Sequence, residues 1–275
     1  MSVICWINGD FVPLEDASIG VSDFALQRGY AVFDFARTYN GHLFRFGDHL
    51  ARLRQSADAL YLPISVSDAE LTGIACRVIQ ESSLERPAVR IFVTGGACND
   101  ALFENSNIIV TGEERAAVDP VLYETGVSLL THEFQRELPA VKSINYLNAV
   151  RLEPLKREHN VFDVLYFSAA GVTECPRNNF FVVRDGVLIT PAENVLPGIT
   201  RSVVLQLATG SMPVEERMLH REELPDVDEA FITSTSKRIV PVSQIDRQPV
   251  GAGRPGPVTQ SLMRLFDEYV HEWKG

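Results

Sequence analysis

Lysine is scarce in this chain: of 25 basic side chains, only Lys142, Lys156, Lys237 and Lys274 are lysines. Lys156 falls in a charged run and Lys274 stands one residue from the end, so both read as ordinary surface groups. Lys142 differs, because Leu138-Pro139-Ala140-Val141 precedes it and Ile144, Tyr146 and Leu147 follow. An amine drawn into apolar surroundings loses its proton more easily, which a Schiff-base nucleophile requires. Taken alone, the segment fits a snorkelling structural lysine at least as well. A second element is Leu196-Pro197-Gly198-Ile199-Thr200-Arg201, a Pro-Gly turn feeding a helix with Ile199, Val203, Val204 and Leu207 on one face. The N–H groups at its start, with the Thr200 hydroxyl, suit a phosphate; a plain helix start is the other reading. Glu174 precedes a strand in Thr173-Glu174-Cys175-Pro176. It is either a salt-bridge partner or the carboxylate that meets the pyridine nitrogen of pyridoxal 5'-phosphate and keeps the ring electron-withdrawing. Thr233-Ser234-Thr235-Ser236-Lys237 ends another strand with hydroxyl and N–H groups able to hold phosphate oxygens.

Such groups need a scaffold, and the pattern predicts a mixture of strands and helices. Strands over 3–7 and 11–14 flank Asn8-Gly9, and strands over 32–39 and 42–46 flank Asn40-Gly41. Both pairs read as hairpins, since Asn-Gly accepts the positive φ of a tight turn. Asp48 is expected to cap a helix bearing Leu50, Leu53, Ala57 and Leu60, and Ser67 with Glu70 to form a capping box for a second. Strands over 89–94 and 108–111 complete an α+β unit, and the polar stretch 112–120 reads as a linker. Beyond it, strands are expected over 127–131, 163–167, 180–184, 187–190 and 229–233, with helices over 147–158, 200–207 and 259–273. The expected division is a small N-terminal α/β domain over 1–117 and a larger C-terminal domain over 118–275 that carries Lys142.

The bulk numbers narrow the function classes. With 275 residues, 45% apolar and 22% charged, the chain is a globular protein of one large or two ordinary domains. A net charge of −11, spread along the sequence, argues against nucleic acid or an anionic membrane as partner. No signal-peptide core and no long apolar run is present, so a cytoplasmic location is expected. Cys5, Cys76, Cys98 and Cys175 are scattered without a C-x-x-C pair, and the six histidines lack ligand spacing, so neither a disulfide framework nor a metal site is expected.

Four motifs taken in order carry more weight than any one: Asp48-His49-Leu50-Ala51-Arg52-Leu53, Val141-Lys142-Ser143-Ile144-Asn145-Tyr146-Leu147, Glu174 with Asn179-Phe180-Phe181, and Pro197-Gly198-Ile199-Thr200-Arg201. In sequence and spacing they resemble the class IV, fold-type IV, pyridoxal-phosphate aminotransferases over nearly the whole chain. The resemblance implies that fold, with a small α/β domain and a mixed-sheet pseudo-barrel domain, and pyridoxal 5'-phosphate bound to Lys142 as a Schiff base. It further implies that Glu174 pairs with the pyridinium nitrogen. Arg52 would clamp the phosphate with the Ile199 and Thr200 amides, Ser234 and Thr235. Tyr146 would meet the ring's 3'-oxygen or serve packing, and Asn179 would be scaffold. A homodimer with shared active sites follows from the same resemblance, and amino acids and 2-oxo acids are the expected substrates.

Departures within the family narrow the reading. Well-studied bacterial D-amino-acid transaminases carry an arginine directly after the Val-Thr pair that here is Val93-Thr94; this chain has Gly95-Gly96. Aminodeoxychorismate lyase carries a threonine in place of Phe35. Arg28 and Arg90 instead resemble a pair in an atypical group of D-amino-acid transaminases, which also shares Arg136-Glu137-Leu138-Pro139 and Ser236-Lys237. Two guanidiniums would bind a substrate α-carboxylate, with Arg28 reaching in from the neighbouring subunit and Phe33 and Lys237 lining the substrate pocket. The sequence therefore reads as a D-amino-acid aminotransferase with 2-oxoglutarate as acceptor. A branched-chain L-amino-acid aminotransferase is the main alternative, and the lyase is the weaker one.

Overall fold

The computed structural model describes residues 3–97 and 105–275; Cys98 lies outside them. Two compact units account for the chain. The first comprises Met1–Ala116, Val141–Asn145 and Trp273–Gly275, and the second Ala117–Ala140 and Tyr146–Glu272.

In the first unit the elements run β1 (Ile4–Ile7), β2 (Asp10–Pro13), α1 (Phe24–Arg28), β3 (Ala31–Tyr39), β4 (His42–Leu43), α2 (Phe46–Asp58), α3 (Asp68–Glu81), β5 (Pro87–Thr94) and β6 (Asn107–Glu114). The strands make one antiparallel sheet in the order β2-β1-β6-β5-β3-β4. Both Asn-Gly turns take positive φ at their two central residues, as hairpin geometry demands. Leu50, Leu53 and Ala57 of α2 and Leu71, Ala75 and Val78 of α3 pack on Val89, Ile91, Val93 and Val110 to form the core. The capping box at Ser67 and Glu70 is present. Asp48 does not cap α2: the helix begins at Phe46 behind Arg45 in the left-handed region, and Asp48 lies in its first turn paired with Arg45. The stretch 112–120 is not all linker, because Gly112, Glu113 and Glu114 continue β6 opposite Val89, Ala88 and Pro87. Their acidic side chains read as loop in the sequence but pair with Arg90 and Arg86 in space.

Val141–Asn145 clusters with this first unit and not with the residues flanking it. The reason is physical: Val141 enters the first core, and the segment lies antiparallel beside β3. Phe33 N–H donates to the Lys142 carbonyl at 2.9 Å, and Ile144 N–H to the Ala31 carbonyl at 3.1 Å.

The second unit contains α4 (Val121–Thr125), β7 (Val127–Glu133), α5 (Leu147–Arg151), α6 (Glu153–His159), β8 (Asp163–Ser168), β9 (Gly171–Val172), β10 (Glu174–Cys175), β11 (Asn178–Arg184), β12 (Val187–Thr190), α7 (Ile199–Ala208), β13 (Val214–Glu216), β14 (Glu229–Ser234), β15 (Arg238–Ile245), β16 (Gln248–Pro249) and α8 (Pro257–His271). Its mixed sheet runs β13-β12-β11-β14-β15-β7-β8-β9, with β10 on β11 and β16 on β15. The pairs β7–β8, β7–β15 and β12–β13 are parallel. Phe180, Val182, Ala230, Ile232, Val240, Val242, Leu129 and Leu165 fill its core. The single helix expected over 147–158 is two, broken at Leu152 because Pro154 sits in the first turn of α6 and lacks the N–H an unbroken helix would need. No described helix is long and apolar enough to cross a membrane.

Candidate active site

Lys142 is fixed through its backbone from two directions. Besides the bond from Phe33, its own N–H donates to Ser56 Oγ on α2 at 3.1 Å. Its Nζ stands 4.7 Å from the centre of the Phe33 ring, so the amine rests on an aromatic face. On the same helix, His49, Arg52 and Ser56 recur at helical spacing and face β3. Arg52 Nε and Nη2 donate to the two oxygens of Asp34, each at 2.8 Å, and His49 Nδ1 meets Asp34 Oδ1 at 2.6 Å. Burial pushes the Asp34 carboxyl upward, but Arg52 and His49 outweigh it and hold that carboxyl well below the usual range. His49 is shifted down, first by burial and further by the charges of Arg52 and Lys142, against the pull of Asp34.

The two arginines expected to bind substrate are differently placed. Arg90 lies on β5 with its guanidinium 4.9–5.8 Å from the rings of Phe35, Phe33 and Phe92. Glu113 on β6 already holds it, accepting from Nε and, at 2.9 Å, from Nη2. Arg28 ends α1 on the surface, donates to its neighbour Gln27 carbonyl at 2.9 Å, and has no ion pair among the described residues. The structure thus brings Arg90 to the Phe33 ring, whereas the Arg28 side chain bonds to the carbonyl beside it in sequence. Nor is there room for a side chain after Val93-Thr94. A Cβ at Gly95 would stand 2.8 Å from Tyr30 Cδ1, and one at Gly96 would collide with the Asn105 carbonyl.

In the second unit Glu174 is buried in the two-residue strand β10. Its Oε1 accepts from Arg136 at 2.9 Å, and its Oε2 from Asn179 at 2.9 Å and the Leu196 N–H at 3.1 Å. The Asn179 amide nitrogen also donates to the Leu196 carbonyl at 2.8 Å, and its oxygen lies where a Cβ of Gly198 would fall. One side chain therefore ties the carboxylate to the start of α7, and only glycine allows that approach. At that start no side chain caps the helix, although Ile199 and Thr200 are buried. Arg201 turns the other way, to the Pro191 carbonyl and Glu216. Ser234, Thr235 and Lys237 form the turn between β14 and β15, where the Lys237 N–H meets Ser234 Oγ at 3.4 Å. Beside it Thr233 Oγ1 is buried with no partner among the described residues. The Lys237 Nζ lies 5.7 Å from the Phe162 ring, and burial, followed by nearby Arg177 and Lys156, lowers its pKa against the opposing Asp163. Tyr146 begins α5 with Arg177 5.7 Å from its ring.

These parts fit pyridoxal 5'-phosphate on structural grounds. A buried helix start without a side-chain cap, next to an orphaned hydroxyl, offers the donors a phosphate needs. A buried carboxylate with two aligned oxygens offers the partner a pyridinium needs. Sequence reasoning gave no role to Asp34, His49, Ser56 or Arg136. A signal was available for Asp34, since a carboxylate in Val32-Phe33-Asp34-Phe35-Ala36 must be buried and so must be paired.

Residues 31–245 match the amino-transferase class IV family. Among curated relatives, the D-alanine aminotransferase of Listeria monocytogenes serotype 4b is 30% identical over 96% of this chain and 95% of its own length. The branched-chain-amino-acid aminotransferase of Escherichia coli K12 is 33% identical over 95% of this chain and 91% of its own. A solved Escherichia coli branched-chain amino acid aminotransferase superposes with a TM-score of 0.89 at 30% identity, covering 98% of this chain and 94% of that one. The T.th. branched-chain enzyme solved with pyridoxamine 5'-phosphate gives 0.91 at 28% identity, covering 98% and 95%.

Proposed function

The chain belongs to the class IV aminotransferases, which are pyridoxal 5'-phosphate enzymes of fold type IV, and on that premise we propose that it transfers amino groups from D-amino acids to 2-oxoglutarate. The bound cofactor supplies an electron-withdrawing ring that makes the substrate Cα–H acidic. Lys142 carries the cofactor and, through Nζ, takes up the Cα proton and returns it. Its backbone bonds to Phe33 and Ser56 keep that amine from wandering. Glu174 holds a proton on the ring nitrogen, with Arg136 and Asn179 fixing the plane of its carboxylate. Arg52, the Ile199 and Thr200 amides, Ser234 and Thr235 hold the phosphate. Tyr146 meets the 3'-oxygen, and Phe33 and Lys237 line the substrate side.

The observation supporting D-specificity is Arg28, a guanidinium without an ion pair among the described residues. Val21 and Leu26, on the same segment, are 80% and 66% exposed, which supports a homodimer in which this surface is covered and Arg28 serves the site of a second copy. With Arg90 it fixes the position and plane of the substrate α-carboxylate. A second reading has its own support. The two-point grip of Glu113 on Arg90, among three phenylalanine rings, favours an apolar substrate side chain and a branched-chain L-amino-acid aminotransferase. The deciding measurement is kcat/KM for D-alanine and L-leucine in the wild type, Arg28→Ala and Arg90→Ala, with cofactor occupancy followed by absorbance. The D-specific reading expects a loss on the order of 10² for D-alanine in either variant at unchanged occupancy. Preference for L-leucine with a silent Arg28→Ala would replace it by the second reading.

A further inference from the structure

Asp34 occupies the middle of β3, in a run where every neighbour is apolar, and it is 2% exposed. Its carboxylate takes four bonds: two from Arg52, one from His49 and one from the Phe35 N–H at 2.7 Å. The Nε–Nη2 edge of Arg52 is thereby committed to β3, which sets the plane of the guanidinium and the direction of its Nη1 edge. His49 lies three residues before Arg52 on the same face of α2, with Arg52 Nη2 3.4 Å from its Nδ1. Because an ionised carboxylate only accepts, the His49 proton sits on Nδ1. The other ring nitrogen, Nε2, is buried with no partner among the described residues. Lys142, whose charge also acts on His49, bonds through its backbone to the same helix face at Ser56.

We propose that Asp34 and His49 are positioning residues: together they preset Arg52 in the orientation that receives the phosphate of the cofactor. The inference rests on the reading of Arg52 as a phosphate ligand. A long arginine that orders only on binding loses rotamer freedom at that moment, whereas one already locked to a buried carboxylate does not. Asp34 locks the fork, and His49 Nδ1–H keeps the carboxylate from turning away. The network thus works before the cofactor arrives.

The test compares affinities of the full-length apo-protein for pyridoxal 5'-phosphate and for pyridoxal, which lacks the phosphate. Asp34→Asn is expected to weaken the phosphorylated form on the order of tenfold, as the loss of one charge-assisted contact, with pyridoxal nearly unchanged. The 31P resonance of the bound cofactor should move as well. His49→Asn, whose amide offers a donor near the position of Nδ1, should preserve the affinity ratio, and His49→Leu should lower it. In an Arg52→Ala background, Asp34→Asn should change the ratio no further. A folded Asp34→Asn or His49→Leu protein with a wild-type ratio overturns the proposal, as does an equal loss for both ligands. If Asp34→Asn does not fold, the two His49 variants decide. An unchanged ratio in Arg52→Ala itself would instead remove the phosphate reading on which the proposal stands.

Discussion

Replacing Asn179 with aspartate keeps the shape of the side chain while exchanging its donor for a charge. The amide nitrogen of Asn179 lies 2.9 Å from Glu174 Oε2 and 2.8 Å from the Leu196 carbonyl. Asn179→Ala removes both bonds, one of them to a carboxylate, for a loss of about 3 kcal/mol that varies little with pH. Asn179→Asp places a second carboxylate against Glu174, and two like charges at that separation cannot both persist in a buried site. One of the pair therefore takes a proton. Neutralising an aspartate of ordinary pKa, about 3.9, costs about 4 kcal/mol at pH 7 and falls by about 1.4 kcal/mol for each unit that the pH drops. Once protonated, the new carboxyl can donate to Glu174 and restore one bond. The Asp variant should thus be less stable than the Ala variant at pH 7 and should regain about 2 kcal/mol relative to wild type by pH 5.5. Urea unfolding of the holoenzyme at the two pH values reads this directly. An Asp variant as stable as wild type at pH 7, or one whose deficit does not shrink on acidification, would refute the assignment of Asn179 as the donor that orients Glu174.

Borohydride reduction of the holoenzyme should leave the cofactor on the peptide containing Lys142; a label on Lys237 would move the attachment site. Ser56→Ala deprives the Lys142 N–H of its acceptor and should cost about 1–2 kcal/mol of stability. It should also raise the kinetic isotope effect for Cα-deuterated substrate as proton transfer becomes less well aligned, and an unchanged isotope effect would deny Ser56 a part in placing the lysine. Arg201→Ala should cost about 1 kcal/mol and spare cofactor affinity, since that side chain points to Glu216; loss of cofactor would contradict its orientation. Burial holds His49 below its ordinary value, so the unfolded chain takes up its proton first as the pH falls. Stability from this group is present above about pH 6.5 and declines from there toward the lower folded value. His49→Asn should flatten that part of the stability profile, and an identical slope in the variant would contradict the burial argument.

What could be read from the sequence was mostly local. The Asn-Gly turns and the Ser67–Glu70 box declare themselves within four residues, because the groups that satisfy one another are chain neighbours. The expectations for Lys142, Glu174 and Arg52 rest on family motifs that are local in the same way: each is a short word. What escaped depends on partners distant in the chain. Glu113 and Glu114 read as linker because their arginines are on or before a neighbouring strand, and α1 was missed because Phe24–Arg28 is too short to show a period. Arg136 stood in a recognised stretch without a role, since Glu174 lies 38 residues away. Pro154 was a visible reason to divide the helix over 147–158, and the apolar pattern across it concealed the break.

The stitching of Val141–Asn145 onto β3 has a consequence for how the protein is made. Ribosomes deliver the chain from its N-terminus, so the first unit emerges long before the strand-like segment that borders it. The same unit waits still longer for Trp273, whose ring packs 5.0 Å from that of Phe44 and whose indole N–H reaches the Leu43 carbonyl 230 positions earlier. Until both arrive, the β3 backbone that will hold Lys142 and the aromatic face of Phe44 are open to water and to other nascent chains. Closing contacts over such separations is slow, because the entropy of loop closure must be overcome before the contact forms. A polypeptide released after residue 116 should therefore keep its helices yet aggregate, while supplying the missing segments late should let the lysine join a sheet that has been waiting for it.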